Sequence, residues 1–476
     1  MNVKRSLINS DFLLKNILNL FLFIITIVFL ILPALQNGYP LVFSDTGTYI
    51  YSGYDKFVPV DRPVGYGLFI YLFGKLITSL WVIVTLQTIF IIGVCHLFIR
   101  LFIPAKRTFH ITCLLLISLS LLTGVSNYNS IIIPDIFTPL LLLSTAIILF
   151  YNRVSIISKI LLALLIIFSV ASHFSNLMLA FGVVLFFPLI SFTLHFRIQK
   201  VNLKKLILAA TILLISWIAV PVIHYIHGKE FVWSRAKNVI IMGRFMESGV
   251  LKKYLNDKCP DSNIPLCDYR DKMKLHAYEF LWDNDSPLLN GDCLSRGWTN
   301  CWTEKDKEYA PIVKEVLTTP KYLKFFAYDS FINSINQLMT FGVVTMTPMN
   351  KDSPVQWLIR DHYPKELNQY KSTNQAKNKL FYEGKTLVQN ICVVVSLIIL
   401  VLLLAKKSFR KNLSPQIINI VFFVLTGIVL NAIICATFSG MVDRYQGRII
   451  WLIPLLALLL LVRLIFFKSK LMEADS

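Results

Sequence analysis

Charge is what this sequence has least of. Only 16% of its 476 residues are Asp, Glu, Lys or Arg, 55% are hydrophobic, and the mean hydropathy is +0.63. A chain so apolar is excluded from the ordinary soluble class. The centres of its long apolar runs are almost free of ionisable residues. That argues against a pump or an ion channel, which carries charge at mid-membrane. The sequence also has no glycine-rich phosphate loop, no evident internal repeat, and no cysteines at the C-x2–4-C spacing of a structural zinc site. No small-x-small cleavage site follows the first apolar run, which is longer than a signal-peptide core of about 7–15 residues. That run is expected to remain as a membrane helix.

What is present is a series of such runs. A membrane helix needs about 20 apolar residues to cross about 30 Å of hydrocarbon. Ten segments read this way, at about 12–36, 78–100, 109–125, 131–151, 156–172, 177–196, 204–223, 387–405, 416–438 and 447–467. The expected fold is therefore an all-α integral membrane protein of about ten transmembrane helices, with one large outer (periplasmic) loop module. Its parts are an N-terminal membrane domain over 1–223, a mostly helical module over 224–386, and C-terminal membrane helices over 387–476.

Basic residues set the orientation. Lys4, Arg5 and Lys15, then Arg100, Lys106 and Arg107, Arg153 and Lys159, and Arg197, Lys200, Lys204 and Lys205 fall on alternate loops. Lys406, Lys407, Arg410, Lys411, Lys468 and Lys470 continue the series. This positive-inside pattern places both termini in the cytoplasm, in a bacterial inner membrane. The net charge of +20 is then largely a topology signal. Because the basic residues are dispersed rather than gathered in one soluble domain, membrane lipids and not nucleic acid are the expected partners.

Acids are missing from the inner loops between helices. Eight of the 27 lie outside 224–386, and five of those, Asp45, Asp55, Asp61, Asp135 and Asp443, fall on the outer face. The segment 224–386 is different, with 23 basic and 19 acidic residues, and reads as a folded extramembrane module. Its stretch 311–341 has helical apolar spacing broken at Pro320, suited to lying along the interface. Four cysteines sit there in two close pairs, Cys259 with Cys267 and Cys293 with Cys301. In an oxidising compartment they read as two disulfides, pairing within each close pair being preferred among three connectivities. Cys95, Cys113, Cys392 and Cys435 read as small apolar packers. His224 and His227 have a spacing that can ligate a metal on a helix, although an interfacial role is the plainer reading.

The short outer turns carry the chemistry. In FSDTGTYIYSGYDKFVPVDRPVGYG, within the loop 37–66 and its border, Asp45 precedes a short helix that Ser44, Asp45 or Thr46 would cap, and Arg62 opens the next apolar segment. Asp135 sits in SNYNSIIIPDIFTPL, where a lone carboxylate must face the bundle interior or a wet cleft. His173 and Asn176 lie in SHFSN, and Arg444, Tyr445 and Arg448 in DRYQGR, with the two arginines sharing a face if helical. Carboxylates serve as a base or metal ligand, and arginines grip phosphate.

These short motifs resemble the GT-C superfamily of membrane glycosyltransferases, over roughly residues 37–180 and 439–455. The resemblance implies an inverting transfer of a hexose or pentose from a polyprenyl-phosphate donor to a glycan or glycolipid acceptor on the outer face. It implies Asp45 as catalytic base assisted by Asp135, with Arg62, Arg444 and Arg448 on the donor phosphate. Tyr49, Tyr66, His173, Asn176 and Tyr445 would contact substrate. Some relatives use a divalent metal. Where many carry two adjacent acids, this chain has Asp45 followed by Thr46, which leaves the metal open. The rival readings are an O-antigen polymerase or ligase, or a non-catalytic translocator or assembly factor for lipid-linked sugars. The topology has its own check: a reporter fused near Asn336 is expected to behave as periplasmic, and one near Lys411 as cytoplasmic.

Overall fold

The computed structural model describes residues 2–193, 201–259, 264–289, 295, 297–344, 346, 353–380 and 383–474. Among these residues all regular elements are helical, and the one bridge between extended segments joins Leu41 to Ile131. Six helices are long and apolar enough to cross a membrane: Trp81–Ile99, Ala105–Leu122, Leu203–Gly228, Glu383–Ala405, Pro415–Phe438 and Asp443–Ile465. Five shorter apolar helices, Leu14–Leu30, Gly65–Ile77, Pro134–Phe150, Ile156–Ser172 and Phe174–Pro188, pack among them. The chain is a helical membrane protein. Each of the ten expected segments falls on one of these helices, and among the described residues six of them meet both the length and the apolarity of a full span. Gly65–Ile77 is not among the ten. It is short, three glycines dilute it, and Ile70–Gly74 winds as a wider π-helical turn.

The centre of the bundle is the helix Phe137–Phe150, all of whose residues are buried. It is apolar around its whole circumference, so it gains most when every face meets protein. Trp81–Ile99, Ile156–Ser172 and Pro415–Phe438 all pack on it. Asp135 stands just before this central helix.

The polar segment beginning near residue 236 has its own hydrophobic core, in which Phe245, Trp302, Tyr309 and Phe326 are buried. The helices Trp298–Thr318 and Pro320–Met339 meet at Thr319, as the Pro320 break implies. Cys259 and Cys267 form the expected disulfide, with Cα atoms 5.4 Å apart. Cys293, in the second expected pair, lies outside the described residues, while Cys301 is buried and disulfide-bonded. The remaining cysteines are free, Cys95, Cys113 and Cys435 being buried.

Val60 joins this second core to the first loop. The junction explains the two histidines. His224 Nδ1 donates to the Val232 carbonyl at 2.7 Å while Nε2 accepts from the Val64 N–H at 3.3 Å, a network that assigns the tautomer. His227 Nε2 donates to the Ser52 carbonyl at 2.6 Å. Both rings staple the end of Leu203–Gly228 to the loop, so the metal reading of this pair gives way to a structural one.

A segment from the far side of the chain covers the same loop. Glu366 accepts from Tyr39 Oη at 2.6 Å, Ser79 Oγ at 2.5 Å and the Leu80 N–H at 3.1 Å. Gln375 exchanges two hydrogen bonds with the Val42 backbone, at 3.2 and 2.7 Å. Tyr54 stacks on His362 with centroids 3.9 Å apart. Below, the helix Ser44–Tyr54 crosses Gly65–Ile77 so closely that a Cβ at Gly53 would strike the Gly67 carbonyl. Glycine is required here by contact, not by backbone angle. Gly53→Ala is therefore expected to destabilise the folded protein by roughly 1–3 kcal/mol through overpacking, read as a lowered unfolding temperature in detergent.

Candidate active site

The two carboxylates are brought together by backbone pairing. The Leu41 N–H donates to the Ser130 carbonyl and the Ile132 N–H to the Leu41 carbonyl, both at 2.9 Å. Thr46 Oγ1 accepts from the Phe43 N–H and donates to the Ile132 carbonyl, again at 2.9 Å each. The start of the helix Ser44–Tyr54 is thereby pinned beside Pro134–Ile136. Asp45 lies in the first helical turn, where the unpaired N–H groups and the helix dipole favour negative charge. It is Thr46, of the three capping candidates, that holds the preceding N–H.

The last contributor is the helix Asp443–Ile450. Asp443 Oδ1 accepts from the Gly342 N–H at 2.7 Å, tying the helix start to the chain just after Pro320–Met339. Arg444 and Arg448 are one turn apart and point the same way. Arg444 Nη1 donates to Asp45 Oδ2 at 2.9 Å and Nε to Asp135 Oδ2 at 2.6 Å. Arg448 Nη1 donates to Asp135 Oδ1 at 3.1 Å. Arg62 Nη1 lies 3.0 Å from Asp45 Oδ1, and Arg62 Nη2 donates to Asp61 Oδ2 at 2.6 Å. Arg448 Nη2 completes the cluster by donating to Ser175 Oγ at 3.1 Å and Asn431 Oδ1 at 3.3 Å.

Three aspartates and three arginines thus cancel one another. The cluster has a dry end and a wet end. Asp135 and Arg448 have no side-chain exposure, while Asp45 is 21% exposed, Arg62 14% and Arg444 12%. Two guanidinium nitrogens, Arg62 Nη1 and Arg448 Nε, are buried without an aligned hydrogen-bond acceptor among the described residues. A buried donor left unpaired costs free energy, which at the partly exposed Arg62 an added oxygen ligand would recover.

Electrostatics at the wet end follow from this pairing. Burial pushes the Asp45 carboxyl up, but Arg62 and Arg444 outweigh it and hold the group well below the usual aspartate range. The stability from this pairing is present above the unfolded value of about 3.9 and is lost as pH falls through the lowered folded value. Asp45 is ionised at neutral pH. His173, between two apolar helices, is driven down to about 3 by burial and by Arg448, and is therefore neutral. Its Nδ1 accepts from the Ser175 N–H at 3.2 Å, and its Nε2 lies 3.5 Å from Arg448 Nη1.

The expected substrate contacts divide. The Tyr49 ring lies 5.2 Å from Arg62 and packs edge-on against Tyr66 at 5.0 Å. Tyr66 is fully buried and donates to Gln87 Oε1 at 2.7 Å, so its ring packs on protein. Asn176 is likewise committed, accepting from Thr138 Oγ1 and donating to the Ser169 carbonyl, both at 2.8 Å. Tyr445 hydrogen-bonds Ser439 Oγ at 2.7 Å, with Arg448 5.6 Å from its ring. Sequence reading missed Asp61, Ser175 and Asn431. Asp61 had a signal in its adjacency to Arg62 in DRP, and Ser175 in its place between His173 and Asn176 in SHFSN; Asn431 sits in an apolar helical stretch with none. Among the described residues no group of three or more His, Cys, Asp or Glu could hold a metal ion.

No family model matches the chain, nor does any curated protein or solved structure. The geometry stands alone. Breaking a buried ion pair from one side leaves an uncompensated charge, which typically costs about 3–5 kcal/mol. Asp135→Ala, which strands Arg448, is expected to cost that much and Asp45→Ala distinctly less, measured by thermal unfolding of the purified protein.

Proposed function

We propose that the cluster is the catalytic centre of an inverting membrane glycosyltransferase that uses a polyprenyl-phosphate sugar donor. The observation that carries the reading is the sharing of Arg444 by Asp45 and Asp135, two carboxylates 90 residues apart in sequence, beside two further arginines. The cluster sits where apolar helices end, which suits a substrate with a lipid tail and a charged head. The shorter apolar helices, in this reading, complete the expected set of about ten spans, and the polar module lies on the outer side with the site.

A carboxylate paired with two guanidiniums is a weak base until those partners turn away. The donor phosphate competes for Arg62 and Arg444, which grip its oxygens in bidentate fashion. As they turn to the phosphate, Asp45 loses its counter-ions and its basicity rises. It then takes the proton of the acceptor hydroxyl as that oxygen attacks the anomeric carbon and the lipid phosphate leaves. The guanidiniums meet the charge that grows on the leaving oxygen, and in a site screened from water such fixed charge does more for the rate than any other single effect. Asp135 and Arg448 touch neither partner directly and keep Arg444 in place. The acceptor is a glycan or glycolipid of the cell envelope.

The decisive measurement is transfer from radiolabelled polyprenyl-phosphate sugars to envelope acceptors. Asp45→Asn keeps the size of the side chain and loses the base, so the rate is expected to fall by roughly 10²–10⁴-fold while folding is retained. Full transfer by folded Asp45→Asn would end the proposal and turn attention to the arginines of an O-antigen polymerase or ligase.

A further inference from the structure

The polar module carries an aromatic surface that its own core does not require. Trp282, Trp298 and Trp302 form a stacked group, with Trp282 and Trp298 nearly parallel at 13° and centroids 5.6 Å apart. Trp302 stands 5.2 Å from the first and 5.5 Å from the second. Only Trp302 is buried; Trp282 and Trp298 are each 37% exposed. Tyr278, one turn before Trp282 on the helix Ala277–Trp282, is 68% exposed. Burying one indole would serve stability, yet three large rings are gathered and two keep a partly exposed surface.

The same helix borders a cavity of about 170 Å³ lined by Tyr269, Lys272, Lys274, Glu279, Asp283 and Asp285. Lys274 is paired with Glu279 at 3.3 Å. Asp283 accepts the Asp285 N–H at 3.2 Å, a local turn that leaves both carboxylates facing solvent. Aromatic faces next to free carboxylates suit one chemistry well. The C–H edges of a pyranose ring carry partial positive charge and pack on the negative face of an indole. Carboxylates accept strong hydrogen bonds from sugar hydroxyls or ammonium groups. Pockets that combine aromatic walls with a few polar groups are the usual form of a small-ligand site. An anionic lipid surface fits less well, since acids border the rings.

We infer that the Trp282–Trp298 face and the cavity of mixed charge that Asp283 borders form a carbohydrate-binding platform, distinct from the Asp45 cluster, for a neutral or amino-sugar glycan chain. It rests on the glycosyltransferase reading only in taking that chain to be the acceptor. Trp298 and Trp282 are the stacking residues, and Asp283 and Asp285 set the orientation of the hydroxyls.

The test uses the full chain in detergent, with chitotetraose, maltotetraose and the envelope polysaccharide of the producing cell as probes. Saturable binding to at least one probe, seen by tryptophan fluorescence and by saturation transfer to sugar protons, is expected. Trp298→Ala should weaken it by at least about tenfold, as loss of a tryptophan anchor does. Asp285→Asn, a conservative change on an exposed residue, should weaken it measurably if the tryptophan variant fails to fold. In the Asp45→Asn background Trp298→Ala should still weaken binding by the same factor, so a failure of the catalytic reading leaves this result intact. Absence of saturable binding to all three probes would overturn the platform, as would binding indifferent to both variants. Quenching of these tryptophans by brominated-lipid vesicles, with no response to sugar, would overturn it in favour of a membrane-interface belt.

Discussion

The contact on which the site depends is the guanidinium of Arg444 lying between Asp45 and Asp135. Each partner comes from a different stretch of chain; Asp45 also meets Arg62 and Asp135 also meets Arg448, but Arg444 is the cation that the two carboxylates share. Arg444 also rests 4.6 Å over the Phe43 ring, so its plane is fixed on one side by an aromatic face. Remove the guanidinium and two carboxylates face each other in a poorly solvated setting. The first loop, the mouth of the central helix and the last polar helix are therefore one electrostatic unit, although 399 residues separate Asp45 from Arg444.

Such a unit is not an efficient way to stabilise a bundle. Apolar side chains of similar volume often do as well or better in a buried position, because ion pairs must first be stripped of water. What the ionic arrangement adds is exchangeability. A carboxylate–guanidinium contact at the wet end can be replaced by a phosphate–guanidinium contact of the same geometry. At the dry end Asp135 meets Arg448, with Ser175 and Asn431 close by, and in the proposed reaction this part would hold the frame during that exchange. Exposure falls from Asp45 to Arg448, so the contacts a ligand could reach are those of Asp45, Arg62 and Arg444.

Much of this was legible in the residues themselves. Apolar runs located the ten segments, because hydrocarbon-length stretches of Leu, Ile and Phe have few other uses. Asp135 announced itself as a carboxylate in an apolar run, and the spacing of Arg444 and Arg448 gave away their common face. What could not be read was closeness in space. Nothing in the string distinguishes Tyr66, whose hydroxyl is committed to Gln87, from a tyrosine facing a ligand. Asn176 resembles a polar group awaiting a substrate until its amide is found between Thr138 and Ser169. Gly65–Ile77 escapes a reading by apolar length because it is short and diluted by glycines. Glu366, which ties the first loop down through Tyr39 and Ser79, is an acid among many in a polar stretch, and only three-dimensional placement sets it apart.

The arginine-bearing turn is continuous with an apolar helix, the span Asp443–Ile465. A helix that crosses a bilayer adjusts its tilt when the hydrocarbon layer thickens or thins, at a cost of fractions of a kcal/mol per ångström of mismatch. Arg444 and Arg448 ride on the end of that lever, whereas Asp45 is fastened to the first loop by Thr46 and the Leu41–Ile131 bridge. A change in the thickness of the hydrocarbon layer would therefore load this contact directly, because the guanidiniums and Asp45 are fastened to different elements.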